Sequence, residues 1–269
     1  SSDLLAQTEN LRLLQLTWAG ADKYTRMENL PQSVVLANAS GAFGTIIAEY
    51  AIGSLVALYR SFGRYWSNKQ AHIWQKYDHA ETISGKTALV LGMGDIGANV
   101  ARRLKIFGAA VLGVKRTAVS AVPADFDEAH TLDALDALLP QADIVIGCLP
   151  NTRETAGLLT AERLHAMKTG AVLVNVGRGS LAGTDDLVSA LQDGHLGGAA
   201  LDVFETEPLP ADCPLWDMEN VLLTPHIAGP SFGGSADVQN TIWHICMDNL
   251  ERYLTGNPLK NVVNRSEGY

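Results

Sequence analysis

The residues with the clearest chemical use are three glycines. They stand in Val90–Leu91–Gly92–Met93–Gly94–Asp95–Ile96–Gly97, the spacing G-x-G-x-x-G. An apolar run, Thr87–Leu91, precedes them and a helical pattern opens behind them. In that setting each glycine has its own use. Gly92 permits a tight turn, Gly94 lets a pyrophosphate approach the backbone, and Gly97 lets helix and strand pack closely. The N–H groups that open the helix, those of Asp95 and Ile96 among them, lie at its positive end and suit phosphate. The segment reads as a dinucleotide site.

Which dinucleotide depends on the end of the next strand. An NAD site usually places a carboxylate there, ~20 residues on, to hold the ribose 2′-OH. Here Val111–Val114 runs into Lys115–Arg116–Thr117, with no acid. Two cations and a hydroxyl suit a 2′-phosphate. NADP(H) is therefore favoured, with NAD(H) possible.

The elements that must position these residues follow from periodicity. Leu11–Leu16 and Val34–Ala37 read as short strands, and about Thr45 to Phe62 as a long helix with Ile47, Ala51, Leu55 and Leu58 at helical spacing. Arg64 to Ser84 reads as a polar, aromatic loop. From Lys86 strands and helices alternate. Strands are expected at Thr87–Leu91, Val111–Val114, Ile144–Leu149, Ala171–Val176, Gly198–Val203 and Val221–Leu223. Helices are expected at Ile96–Phe107, Leu132–Leu139, Ala161–Met167, Asp185–Asp193 and, last, about Ala236 to Leu254. Such alternation signals an α/β fold with a doubly wound parallel sheet. Thr255–Gly256–Asn257–Pro258 punctuates the final helix.

Composition bounds the function. The 269 residues suffice for one large domain or two smaller ones; 47% are hydrophobic and 18% charged, which supports a packed core. A net charge of -9 argues against a non-specific nucleic-acid surface. Cys148, Cys213 and Cys246 form no CxxC pair and no metal-ligand spacing, so they read as reduced thiols of a cytoplasmic protein without a metal. No apolar run approaches the ~18 residues of a membrane span. Ser1 to Asn10 does not resemble a signal peptide.

Several strings, in order, resemble the D-isomer-specific 2-hydroxyacid dehydrogenases, from about Leu11 onward. They are Ile47–Ala48–Glu49–Tyr50, Ser84–Gly85–Lys86–Thr87, Leu149–Pro150–Asn151–Thr152 to Thr155, Val174–Asn175–Val176–Gly177–Arg178–Gly179–Ser180, Ala200–Leu201–Asp202–Val203–Phe204–Glu205–Thr206–Glu207–Pro208, and Leu223–Thr224–Pro225–His226–Ile227–Ala228–Gly229. The resemblance implies a Rossmann-type domain over 45–231 and a smaller, flavodoxin-like substrate domain from 1–44 and 232–269. It also implies a homodimer joined through the long helix.

The resemblance further implies a catalytic trio. Arg178 corresponds to the substrate-binding arginine, Glu207 rather than Glu205 to the catalytic carboxylate, and His226 to the acid–base histidine. Histidine can give and retake a proton near neutrality. A glutamate on its other nitrogen fixes the tautomer, and an arginine fork can bind a carboxylate and polarise a carbonyl. Pro150, Thr155 and Asp202 fall at cofactor-side positions, with a structural role equally open to Asp202. Ala19–Gly20–Ala21 matches a turn whose amides meet the substrate carboxylate. Trp18, beside it, reads as a packed core residue, with a place lining the pocket as the alternative.

The chain departs from the family in two places. Only ten residues precede Leu11, fewer than a strand–helix–strand unit needs, so the beginning of the substrate domain is expected to be missing and a strand edge exposed. Gly229–Pro230–Ser231–Phe232 replaces aromatic or polar residues after His226. The ending, Asn261 to Tyr269, resembles members acting on glyoxylate or hydroxypyruvate. The rival reading is a non-catalytic NAD(P)(H)-binding sensor or corepressor, which can keep the same trio.

Overall fold

The computed structural model describes residues 10–78, 80–230 and 232–269. The stretch from Ser1 to Glu9, weighed above as a signal peptide, and Ser231 therefore lie outside the described residues. The chain divides into two units. The larger comprises Gly44–Leu149 and Arg153–Gly229; the smaller comprises Ser1–Phe43, Pro150–Thr152 and Pro230–Tyr269.

The larger unit is built on seven parallel strands. They are β3 (Thr87–Leu91), β4 (Ala110–Lys115), β5 (Glu128–Thr131), β6 (Ile144–Gly147), β7 (Ala171–Asn175), β8 (Leu196–Leu201) and β9 (Val221–Leu223), in the order β5-β4-β3-β6-β7-β8-β9. The central strands β3, β6 and β7 are apolar on both faces because helices cover both sides. Strand order reverses between β3 and β6, and that crevice at the strand C-termini is where ligands bind in open α/β sheets. The expected doubly wound sheet is thus present.

Helix α2 (Gly44–Tyr59) packs on α4 (Asp95–Ile106) and on β8. Its expected stripe, Ile47, Ala51 and Leu55, is buried within the chain, while Leu58 is half-buried. It stops at Tyr59, short of Phe62, because Ser61 takes a left-handed backbone, φ 54°. The remaining described helices of this unit are α3 (Phe62–Gln70), α5 (Leu135–Leu138), α6 (Ala161–Ala166) and α7 (Thr184–Gln192).

Two elements here depart from the sequence reading. Helix α3 occupies part of the expected loop; it buries none of its residues, so its sequence carries no core-facing stripe to read. Strand β5, Glu-Ala-His-Thr, was not expected at all. It is a polar edge strand, held by pairing to β4 rather than by an apolar pattern.

The smaller unit holds a parallel pair, β1 (Leu13–Gln15) and β2 (Val35–Ala37), with the short α1 (Asp22–Thr25) between them, and the long α8 (Ala236–Thr255). Its core joins Leu16, Ala21, Leu36 and Val263. The tail is stitched to it. Ala37 bridges Val262 in antiparallel sense, and Arg265 donates to Pro31 O at 2.7 Å and Leu30 O at 2.9 Å. Asn249, fully buried, donates to Gln15 Oε1 at 2.7 Å and to Lys260 O at 3.0 Å. No described helix is long and apolar enough to cross a membrane.

Candidate active site

The glycine loop leaves β3 and enters α4 with the geometry a phosphate needs. Gly92 has φ +107°, a conformation L side chains rarely adopt, and a Cβ there would lie 3.0 Å from Cys148 O. A Cβ on Gly97 would lie 1.8 Å from Gly92 O, so only glycine lets the helix start this close to the turn. Before Gly94, by contrast, there is open space. The first helical bond runs from Ala98 N to Gly94 O at 2.9 Å, which leaves the amides of Asp95, Ile96 and Gly97 ahead of it. Asp95 Oδ1 is engaged by Asn99 Nδ2 at 3.1 Å rather than capping those amides. This donor set and the open space over Gly94 fit a dinucleotide pyrophosphate.

The residues expected at the far end of the cofactor site lie at the end of β4. Lys115 closes β4 and is half-buried, with Arg116 and Thr117 exposed just beyond it. The residues after β6 differ among themselves. Pro150 is half-buried and Thr155 buried. Cys148, packed behind the glycine loop, has its thiol pushed up to about 12 by burial, so it is no thiolate nucleophile near neutrality.

Arg178 sits on a turn that follows β7 and is clamped from both sides. A Cβ on Gly177 would lie 2.7 Å from Leu149 O, and one on Gly179 would lie 1.9 Å from the Phe204 carbonyl carbon. Asn175, 2% exposed, locks the turn from inside. Its Nδ2 donates to Arg178 O at 2.9 Å, and its Oδ1 accepts from Gly177 N at 3.2 Å. Arg178 Nη1 donates to Gly177 O at 2.8 Å.

Glu207 and His226 meet directly. His226 Nδ1 lies 2.9 Å from Glu207 Oε2, and Phe204 N donates to Glu207 Oε1 at 3.0 Å. Because Gly179 packs on Phe204, the Arg178 turn and the glutamate share one support. Glu205 serves the fold instead. Its Oε2 accepts from Thr184 N at 2.5 Å, at the start of α7.

His226 itself has a left-handed backbone, φ 56°, which costs a non-glycine residue about 1 kcal/mol and persists only where neighbours enforce it. Asp202, 1% exposed at the end of β8, supplies that enforcement. Its carboxylate accepts from Thr224 Oγ1 at 2.6 Å, Ile227 N at 2.8 Å and Ala228 N at 2.9 Å, and its carbonyl accepts from His226 N at 2.8 Å. The imidazole is nevertheless 49% exposed.

Ala19–Gly20–Ala21 belongs to the smaller unit. Asn38 Nδ2 donates to Ala19 O at 2.8 Å, and Ala39 N to Trp18 O at 2.9 Å, so the turn is braced from β2. Trp18 is 42% exposed, which corrects its reading as a core residue: the brace uses its carbonyl and leaves the ring outside. Sequence reasoning gave no role to Asn175, Tyr50 or Thr224. All three lay inside the family strings, and for Asn175 and Thr224 a polar residue near a candidate site residue was the available signal.

Comparison with known proteins settles the family. Residues 52–228 match the family model described as D-isomer specific 2-hydroxyacid dehydrogenase, NAD binding domain. The chain belongs to that family. It is an NAD(P)-dependent 2-hydroxyacid dehydrogenase, an oxidoreductase of the CH–OH group. A glyoxylate reductase from Thermofilum pendens is 30% identical over 272 residues, covering 98% of this chain and 78% of that protein. A D-3-phosphoglycerate dehydrogenase from Mycobacterium leprae is 32% identical over 99% of this chain, which spans only 49% of that longer relative. Among solved structures, an NADPH-dependent glyoxylate/hydroxypyruvate reductase from Sinorhizobium meliloti, in complex with NADP and sulfate, superposes with a TM-score of 0.88 at 30% identity, covering 100% of this chain and 84% of that one.

Proposed function

We propose that this dehydrogenase reduces small 2-oxo acids to D-2-hydroxy acids with NADPH, with His226 as the acid and base. The observation that carries the reading is the imidazole–carboxylate pair, His226 Nδ1 to Glu207 Oε2 at 2.9 Å, on a loop fixed by Asp202. With Nδ1 committed to the glutamate, Nε2 is the nitrogen that exchanges a proton with substrate. In reduction it gives that proton to the carbonyl oxygen, and in oxidation it takes it from the hydroxyl. The nicotinamide, when bound, supplies or accepts the hydride. Arg178 binds the substrate carboxylate and polarises the carbonyl. In the smaller unit, the amides of the Ala19–Gly20–Ala21 turn are the candidate anion-binding group.

Gly92, Gly94, Asp95, Ile96 and Gly97 would hold the pyrophosphate. Lys115, Arg116 and Thr117 would hold the 2′-phosphate, with Pro150, Thr155 and Asp202 shaping the nicotinamide end. The NADP in the Sinorhizobium meliloti reductase supports that cofactor. Small 2-oxo acids such as glyoxylate and hydroxypyruvate are favoured because two of the relatives act on them. Three free thiols suit a reducing, cytoplasmic setting.

A panel of glyoxylate, hydroxypyruvate, pyruvate and longer 2-oxo acids, run with NADPH and NADH, tests the proposal. Turnover of a small member with NADPH is expected. Tight NADPH binding with no turnover of any member would make the chain a sensor instead.

A further inference from the structure

The Asp202 anchor is itself held, through a hydroxyl chain that ends on helix α2. Thr224 Oγ1 donates to Asp202 Oδ1 at 2.6 Å, and a hydroxyl has a single proton to give. Tyr50 Oη lies 2.5 Å from Thr224 Oγ1. With Thr224's proton already committed, Tyr50 is the donor in that contact. Ser54, one helical turn on, also bonds the Tyr50 hydroxyl, and burial raises the phenol above its ordinary value, so it stays a protonated donor. The directed chain therefore runs from Tyr50 to Thr224 to Asp202, and from there to the amides of Ile227 and Ala228 that follow the left-handed His226.

We propose that Tyr50 is a positioning residue for His226, fixing the histidine loop through Thr224 and Asp202. The proposal rests on the reading of His226 as the acid and base. Tyr50 touches no reacting atom in that reading. Its hydroxyl sets the Thr224 rotor, the rotor sets the Asp202 carboxylate, and the carboxylate holds two backbone amides in the one arrangement compatible with His226 at positive φ. The relay joins the first helix of the larger unit to the loop after its last strand. Neither Tyr50 nor Thr224 looks catalytic in the sequence.

The test uses the full chain with Tyr50→Phe, Thr224→Val, Thr224→Ser and His226→Ala. Steady-state kinetics with NADPH and a 2-oxo acid are paired with amide hydrogen exchange resolved at Ile227 and Ala228, with β3 amides as a control for global stability. Y50F is expected to lower kcat about tenfold, the equivalent of one hydrogen bond. KM for NADPH should hold, exchange at Ile227 and Ala228 should accelerate, and β3 should be unaffected. T224V should behave likewise, and T224S, which keeps the hydroxyl, should restore what T224V loses. Unchanged exchange at Ile227 and Ala228 in Y50F overturns the proposal whatever happens to kcat. If H226A is as active as the unsubstituted chain, the acid–base reading falls by itself. The exchange measurement still decides whether Tyr50 fixes the loop.

Discussion

His226 is a histidine placed in a backbone region that histidine seldom occupies, with one nitrogen committed to a carboxylate. Among the described residues His72 shares the backbone region and His130 and His165 share a carboxylate partner, but His226 has both features together. Proton transfer by a positioned side chain is worth about 100-fold or more. H226A should therefore lose nearly all turnover while NADPH binding, measured by fluorescence titration, stays intact. E207Q should lose at least about tenfold in kcat, because the amide can still meet Nδ1 but no longer stabilises the imidazolium. Turnover in E207Q at the unsubstituted rate would remove Glu207 from the mechanism. Asn175 and Gly179 belong to the same scale. They shape a turn rather than touch substrate, and without them the Arg178 fork has no fixed origin.

At the scale of the element, two glycines three residues apart should respond differently to alanine. In G97A the new Cβ meets Gly92 O at 1.8 Å, so α4 must move off β3. A clear fall in Tm is expected, of the few kcal/mol class that overpacking brings. In G94A the Cβ enters open space. Tm should hold while Kd for NADPH rises, because the proposed pyrophosphate site uses that space. Loss of Tm in both variants alike would mean that Gly94 serves the fold.

The junction of α6 and α7 gives a pH dependence. A hydrogen bond to Asp193 holds His165 above its usual 6.5, and the same contact holds Asp193 below its usual 3.8. A raised histidine contributes stability that is full below 6.5 and lost as pH rises through the raised value. A depressed aspartate contributes above 3.8 and loses its share as pH falls through the depressed value. Both contributions are present together between about 4 and 6.5. Thermal melts of His165→Gln should accordingly fall below those of the unsubstituted chain at pH 5.5 and converge with them at pH 9. The effect should be small, since the pair is at the surface.

The whole molecule decides cofactor choice and assembly. Lys115 and Arg116 lie at one end of β4, in a chain whose net charge is -9. Attraction of a 2′-phosphate must then come from these local cations rather than from the overall field. Replacing Lys115 by Asp should raise KM for NADPH and shift kcat/KM toward NADH by at least about tenfold, as the loss of a charged hydrogen bond requires. A kcat/KM for NADH above that for NADPH before any substitution would reverse the cofactor proposal. A homodimer through α2 is what the family resemblance proposes; Ile47, Ala51 and Leu55 of that helix are buried inside the chain, which its apolar stripe equally suits. Light scattering of the unsubstituted chain is expected to show a dimer, and a monomer would overturn that proposal.

Sequence alone determined the alternation of strands and helices from Lys86 onward, the glycine turn and the order of the family strings. Each of these is written in local pattern: period 2 or 3.6, a glycine spacing, a run of neighbours. The family resemblance preferred Glu207 to Glu205; in the structure Glu207 meets His226 and Glu205 meets the start of α7. Only the tertiary structure decided what fixes these residues in place. Asp202 and Thr224 stand 22 residues apart, and Tyr50 and Thr224 174 apart. Helix α3 and strand β5 were likewise invisible, because neither has an apolar stripe of its own. Hydrogen bonds between polar side chains leave no periodic mark. Their partners become neighbours only when the sheet brings β8, β9 and α2 together.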